Sequence, residues 1–145
     1  MSSKNTIIVE EFYPVDPATL WNAISDHKEM IEWFFDMIPE FEAEEGFTTR
    51  FVVQNEGRIF THLWKVTELV PGSRLVLDWR YEEYPGSGQV IFELGSWVEG
   101  SKLKLINHGL DSFPKDVPEF SRESCLGGWN YFLKNRLKSY LETKR

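Results

Sequence analysis

Apolar and polar positions change their period twice along this chain, and the changes divide it into three stretches. Thr6 to Tyr13 carries Ile7, Ile8, Val9 and Phe12, β-branched or aromatic residues that favour a strand, and Pro14 ends the run. Val15, Asp16, Pro17 and Leu20 then mark a helix start. Asp16 suits the capping position, Pro17 the first helical position, and Val15 can pack onto Leu20. Leu20, Trp21 and Ile24 share one stripe of this short helix. Asp26 with Glu29 predicts a second capped turn leading to Met30, Trp33, Phe34 and Phe35, so two small helices follow strand one.

Past Pro39 the period falls from 3.6 to 2 and stays there for about seventy residues, broken only by turn signals. Glu40 to Glu44 reads as an acidic edge strand, turned by Gly46. Phe47, Thr49, Phe51 and Val53 then form one face of a strand that ends at the Glu56-Gly57 hairpin turn. Phe60, His62, Trp64 and Val66 alternate along the next strand, and Val70-Pro71-Gly72-Ser73 turns the chain again. Leu75, Leu77, Trp79 and Tyr81 follow, and Tyr84-Pro85-Gly86-Ser87-Gly88 reads as a mobile loop. Gln89 to Val98 and Ser101 to His108 close the meander, with Val90, Phe92, Leu94, Leu103 and Leu105 on their apolar faces.

Leu110 to Pro118, with two prolines and two aspartates, is a predicted loop. From Glu119 the helical period returns: Leu126, Trp129, Leu133, Leu137 and Tyr140 recur at spacings of three and four, widened by Phe132 and Leu141. A helix of about 24 residues at ~1.5 Å each would run ~36 Å, enough to cross the sheet. Gly127-Gly128 inside it disfavours helix by about 1 kcal/mol per glycine relative to alanine, which points to close backbone approach to the sheet or a ligand, or to a frayed first turn. Strands joined by short turns pair antiparallel with one buried face, and the terminal stripe must cover that face. The predicted fold is α+β: a curved antiparallel sheet of six or seven strands around a long C-terminal helix, forming one domain over residues 1–145.

Composition sharpens this picture in two ways. Eleven Phe, six Trp and five Tyr make 15% of the chain aromatic, so rings either fill the core or line a cavity for an apolar ligand. Sixteen Lys and Arg against 23 Asp and Glu give a net charge of -7, which argues against nucleic acid and anionic membranes as partners. The basic cluster Lys134, Arg136, Lys138, Lys144 and Arg145 falls in the last helix, where cations suit the dipole. Cys125 is alone, which excludes an internal disulfide and suits a reducing compartment. The opening Met1 to Asn5 is polar with no signal-peptide stretch after it, and no window approaches the ~20 apolar residues of a membrane span. The expectation is a cytoplasmic monomer or homodimer.

Three stretches carry a family resemblance. Val15 to Asp26 followed by Glu32-Trp33-Phe34 resembles the opening helix pair, with its recurrent tryptophan, of the START-like or SRPBCC superfamily, in the branch named for the C-terminal domain of the activator of heat shock protein 90 ATPase. Leu103 to Leu110, with Asn107-His108-Gly109, is similar to that branch's final strand. Gly128-Trp129-Asn130 through Leu133, Leu137 and Leu141-Glu142 is similar to its closing helix. The resemblance covers nearly the whole chain and implies a helix-grip fold with a cavity between sheet and terminal helix. It leaves activity open, because the superfamily includes lipid and hormone carriers, polyketide cyclases and co-chaperones. The activators that name the branch carry a further N-terminal domain, for which 145 residues leave no room.

Candidate chemistry is sparse. His62 shares a strand face with Phe60, Trp64 and Val66, where a neutral imidazole would orient a ligand carbonyl, act as a base, or simply be a satisfied core residue. His108 suits a strand-end hydrogen bond, and His27 is expected to be exposed. No His or Cys pair has metal-ligand spacing. Cys125 near a helix start is a candidate low-pKa thiol without a neighbouring base. Glu44-Glu45 and Glu82-Glu83 read as solvated turn flanks, and no nucleophile elbow, phosphate loop or dinucleotide fingerprint is present. No catalytic residue, metal or cofactor is therefore assigned. The candidate ligand-contacting set is Trp21, Trp33, Phe34, Phe51, His62, Trp64, Trp79, Tyr81, Trp129 and Leu133. The expected function is binding of a small apolar molecule or lipid, with a chaperone cofactor or a His62-dependent cyclase or hydrolase as alternatives.

Overall fold

A computed structural model describes residues 5–144; Met1 to Lys4 of the polar opening and Arg145 of the basic cluster lie outside the described residues. The chain forms β1 (Thr6–Tyr13), α1 (Pro17–Ser25), α2 (His27–Trp33), β2 (Thr48–Asn55), β3 (Arg58–Val70), β4 (Arg74–Tyr81), β5 (Tyr84–Trp97) and β6 (Gly100–His108). A C-terminal helix follows as α3 (Arg122–Asn130), a π-helical segment (Tyr131–Arg136) and α4 (Leu137–Glu142). The six strands make one antiparallel sheet in the order β1-β6-β5-β4-β3-β2, so the first strand closes the sheet beside the last. No helix among the described residues is long and apolar enough to cross a membrane.

Local signals explain the helical entry. The Asp16 carboxylate accepts from the Thr19 amide at 2.8 Å, with Pro17 in the first turn. Asp26 gives its backbone carbonyl to Met30, but its side chain makes no cap bond, so the second predicted cap is a backbone turn. His27 is half-buried rather than exposed. Its Nε2 donates to the Ile38 carbonyl at 2.7 Å, tying α2 to the chain beyond it.

Two assignments in the strand region change. Residues 40–44 form no strand: the Glu44 amide turns back onto the Glu42 carbonyl, and bonding to β3 begins only at Gly46, whose amide goes to the Val66 carbonyl. Only Phe41 of that stretch is buried, edge-on to Trp64. Conversely, Tyr84 to Gly88 is strand rather than loop. Tyr81 pairs with Tyr84 across the Glu82-Glu83 turn, and Trp79 pairs with Gly88. Gly86, at φ +116°, carries the chain so close to Ser112 that a Cβ there would lie 2.6 Å from the Ser112 carbonyl oxygen.

The C-terminal helix starts at Arg122, not Glu119, because the Ser121 hydroxyl caps it by accepting from Ser124 at 3.1 Å. Before it, 3-10 turns at Leu110–Ser112 and Pro118–Phe120 give the predicted loop partial order. The helix lies across the sheet with Leu133, Leu137 and Leu141 fully buried. At the π-helical segment the Leu133 carbonyl accepts a 2.8 Å hydrogen bond from the buried Tyr13 hydroxyl, which fixes helix to strand.

Candidate ligand cavity

The inner face of the sheet is apolar by alternation, but its rings do not close the whole space beneath the helix. A half-open cavity of about 150 Å³ remains at the β4–β5 end. The sheet contributes His62, Trp79, Tyr81, Gly88 and Asn107; the C-terminal helix contributes Cys125, Gly128, Trp129 and Phe132. Phe34 and Phe35 reach it from the end of α2, and Leu110, Phe113, Glu119 and Phe120 wall it from segment 110–121. A volume of this order is enough for about one aromatic ring.

The polar groups on this wall have fixed polarities. His62 is 4% exposed, and its ring stacks on Phe51 at 4.6 Å between centroids. Its Nδ1 lies 3.0 Å from the Phe60 carbonyl, which only accepts, so Nδ1 carries the proton and Nε2 the lone pair. Burial pushes the His62 pKa down to about 4. The imidazole is thus neutral near pH 7 and a weak base there. Trp79 Nε1 donates to Tyr81 Oη at 2.8 Å, and an indole N–H can only donate. The Tyr81 proton is therefore directed elsewhere, and burial holds its pKa well above the usual phenol range.

Two further groups stand at the rim. Glu119 is clamped by Arg58 through Nε–Oε1 and Nη2–Oε2 contacts of 2.8 Å each, with Asn55 Nδ2 donating at 2.7 Å. These bonds lower its pKa to about 2, so Glu119 is a charged strut between the β2–β3 hairpin and segment 110–121. The Cys125 thiol donates to the Glu119 carbonyl at 3.6 Å, and burial raises its pKa to about 11. It is a protonated thiol, not the low-pKa nucleophile that its place near a helix start suggests. His108 makes a strand-end bond, with Nδ1 3.0 Å from the Thr6 hydroxyl. Among the described residues no group of three or more His, Cys, Asp or Glu could hold a metal ion.

Of the ten candidates, Phe34, His62, Trp79, Tyr81 and Trp129 line the cavity. Trp33, Phe51, Trp64 and Leu133 sit in the packed core, and Trp21 is half-buried at its edge. Trp33 has a structural bond, its Nε1 donating to the Ala23 carbonyl at 2.8 Å. Phe35, Phe113, Phe120 and Phe132 also line the cavity, although the sequence pattern does not mark them as ligand contacts. Phe35 and Phe132 adjoin named positions, whereas Phe113 lies in the predicted loop and Phe120 at the start of the predicted helix, outside its apolar stripe.

A family model described as Activator of Hsp90 ATPase homolog 1-like protein matches residues 14–142. Among solved structures, the chain is similar to protein CV1439 from Chromobacterium violaceum, with 23% identity, 95% of this chain and 97% of that one covered, and a TM-score of 0.78. It is similar to Mll3558 from Rhizobium loti at 20% identity, covering 94% and 96%, with a TM-score of 0.80. DynU16, from the dynemicin biosynthetic locus, matches at 23% identity over 97% of this chain and 48% of its own, with a TM-score of 0.75. No curated protein matches in sequence.

Proposed function

This chain belongs to the Activator of Hsp90 ATPase homolog 1-like family, and from that premise we propose that it binds a small hydrophobic molecule in the cavity between sheet and C-terminal helix. The observation that carries this reading is the ring-lined space of about 150 Å³ left open in an otherwise closely packed interior. Protein interiors normally fill such voids, so an apolar gap with a few convergent polar atoms is the kind of feature that a ligand occupies. The SRPBCC fold of this family commonly hosts hydrophobic ligands, and one structural neighbour belongs to a biosynthetic locus.

Trp79 and Trp129 face the cavity, so their fluorescence reports its occupancy. Titrating small aromatic and aliphatic ligands should give saturable quenching or a spectral shift. Gly128→Leu, which projects into open space beside the cavity, should abolish the response while leaving the protein folded. Absence of any saturable change with the whole panel overturns the reading.

The family description supports a second reading, regulation of a heat shock protein 90 ATPase through the surface. It predicts a changed ATPase rate when this chain is added to the chaperone, with an unchanged rate rejecting it.

A further inference from the structure

We propose that the preferred occupant of this cavity is a small neutral phenol, a single aromatic ring bearing a hydroxyl group; the proposal rests on the ligand-binding reading above. His62 and Tyr81 are direct partners across the β3–β4 ladder, with ring centroids 4.9 Å apart, and both face the cavity. Their outer hydrogen bonds dictate what each presents inward. His62 Nδ1–H is committed to the Phe60 carbonyl, which leaves Nε2 as an acceptor. Tyr81 Oη is committed as acceptor to Trp79 Nε1, which leaves its own O–H as a donor. Neither His62 Nε2 nor the Tyr81 proton has a protein partner among the described residues.

One acceptor beside one donor, on the wall of a ring-sized apolar space, matches a hydroxyl, which gives one proton and receives another. A phenol O–H would donate to His62 Nε2 while its oxygen accepts from Tyr81, and its ring would lie among Phe34, Trp79 and Phe132. A carboxylate fits poorly. It brings only lone pairs against the His62 lone pair, and its charge would lose hydration in this apolar site. A plain hydrocarbon of the same shape fits the volume but leaves both polar atoms unsatisfied. Asn107 also lines the space, but its amide can both donate and accept, so it does not impose the same choice.

The test compares phenol with its near-isostere toluene, following the Trp79 and Trp129 indole resonances by NMR at pH 7. Phenol should bind about tenfold or more tightly than toluene, the range set by leaving buried donor and acceptor groups unpaired. In Tyr81→Phe, toluene affinity should persist and the preference for phenol should collapse. Equal affinities in the native protein would overturn the phenol assignment and leave the apolar cavity reading standing, whereas binding of neither overturns both. An undiminished preference in Tyr81→Phe would also overturn it. Should that variant not fold, the native phenol-to-toluene ratio decides alone.

Discussion

The two ends of the C-terminal helix meet the same sheet and solve the packing problem differently. Leu133, Leu137 and Leu141, running from the π-helical segment into α4, are fully buried in the main core, and this end is tied to β1 through Tyr13 and to α2 through Arg136 and Tyr140. Beneath Cys125 to Trp129 the partner is segment 110–121, whose Phe113, Val117 and Phe120 form a separate small cluster with Phe60 on β3. Branched aliphatic chains at helical spacing pack closely, while the rings of the small cluster meet at mixed angles, Phe113 and Phe120 tilted by 32° and Phe60 and Phe120 near edge to face. The Phe60 and Phe120 rings, for example, stand 81° apart with centroids at 5.5 Å. The lesson is that the cavity lies at the seam between two clusters. Tyr81 and Val53 pack against both clusters and join them beside it.

The most severe way to test this contrast is to truncate one side chain at each end. Leu137→Ala should destabilise the protein by roughly 2–5 kcal/mol in urea unfolding, because the surrounding helix and strands cannot collapse onto the gap. Phe120→Ala removes a larger side chain but should be the milder change, since segment 110–121 can shift or admit water beside the existing cavity. It should also enlarge the range of ligands accepted. The reverse order of the two stabilities would break the comparison.

Acid probes the cavity end next, through two groups with different pH windows. His62 has an ordinary value of 6.5 and about 4 in the fold, so below pH 6.5 the unfolded chain takes up a proton that the folded chain refuses. Stability should therefore fall between pH 6.5 and 4, by about 3 kcal/mol at roughly 1.4 kcal/mol per tenfold change. In His62→Phe that slope should vanish from a plot of urea midpoint against pH.

The Glu119 clamp acts in a lower window. Its carboxylate is held at about 2 against an ordinary 4.5, so its contribution is complete above pH 4.5 and is lost as the pH falls towards 2. Glu119→Gln should flatten this part of the curve and increase amide exchange in segment 110–121, with little effect on amides around Leu137. Uniform loosening of both ends would show that they are one cooperative unit.

How much of this was legible beforehand follows from the range of each interaction. β1 occupies Thr6–Tyr13 as its pattern indicates, and the alternation of His62, Trp64 and Val66 gave their shared buried face, because both depend on neighbours within a few residues. Depth along the strand has no such local signal. His62 borders the cavity while Trp64, two residues on, is packed among Phe34, Phe41 and Phe51. Tyr84 to Gly88 looked like a loop because its glycines suit turns, yet they serve a close approach to Ser112 and Phe113, some 25 residues away. Phe113 and Phe120 were invisible as cavity walls for the same reason. Their positions are set by the Arg58–Glu119 clamp and the Gly86 contact, not by any period of their own.

The paired glycines of the last helix give the smallest effect and the sharpest local contrast. A Cβ on either Gly127 or Gly128 would meet nothing within 4 Å, so close approach of helix to sheet does not require them. Both lie within α3, and substitution by alanine should raise stability by about 1 kcal/mol at each site through helix propensity. They differ in what the empty space is. Gly127 faces solvent, whereas Gly128 lines the cavity. Gly127→Ala should therefore leave ligand affinity unchanged, while Gly128→Ala should weaken it even as the protein becomes more stable. If both substitutions stabilise equally and neither alters binding, the glycine at 128 is not reserving room for a ligand. The seam would then be a packing defect that the fold tolerates.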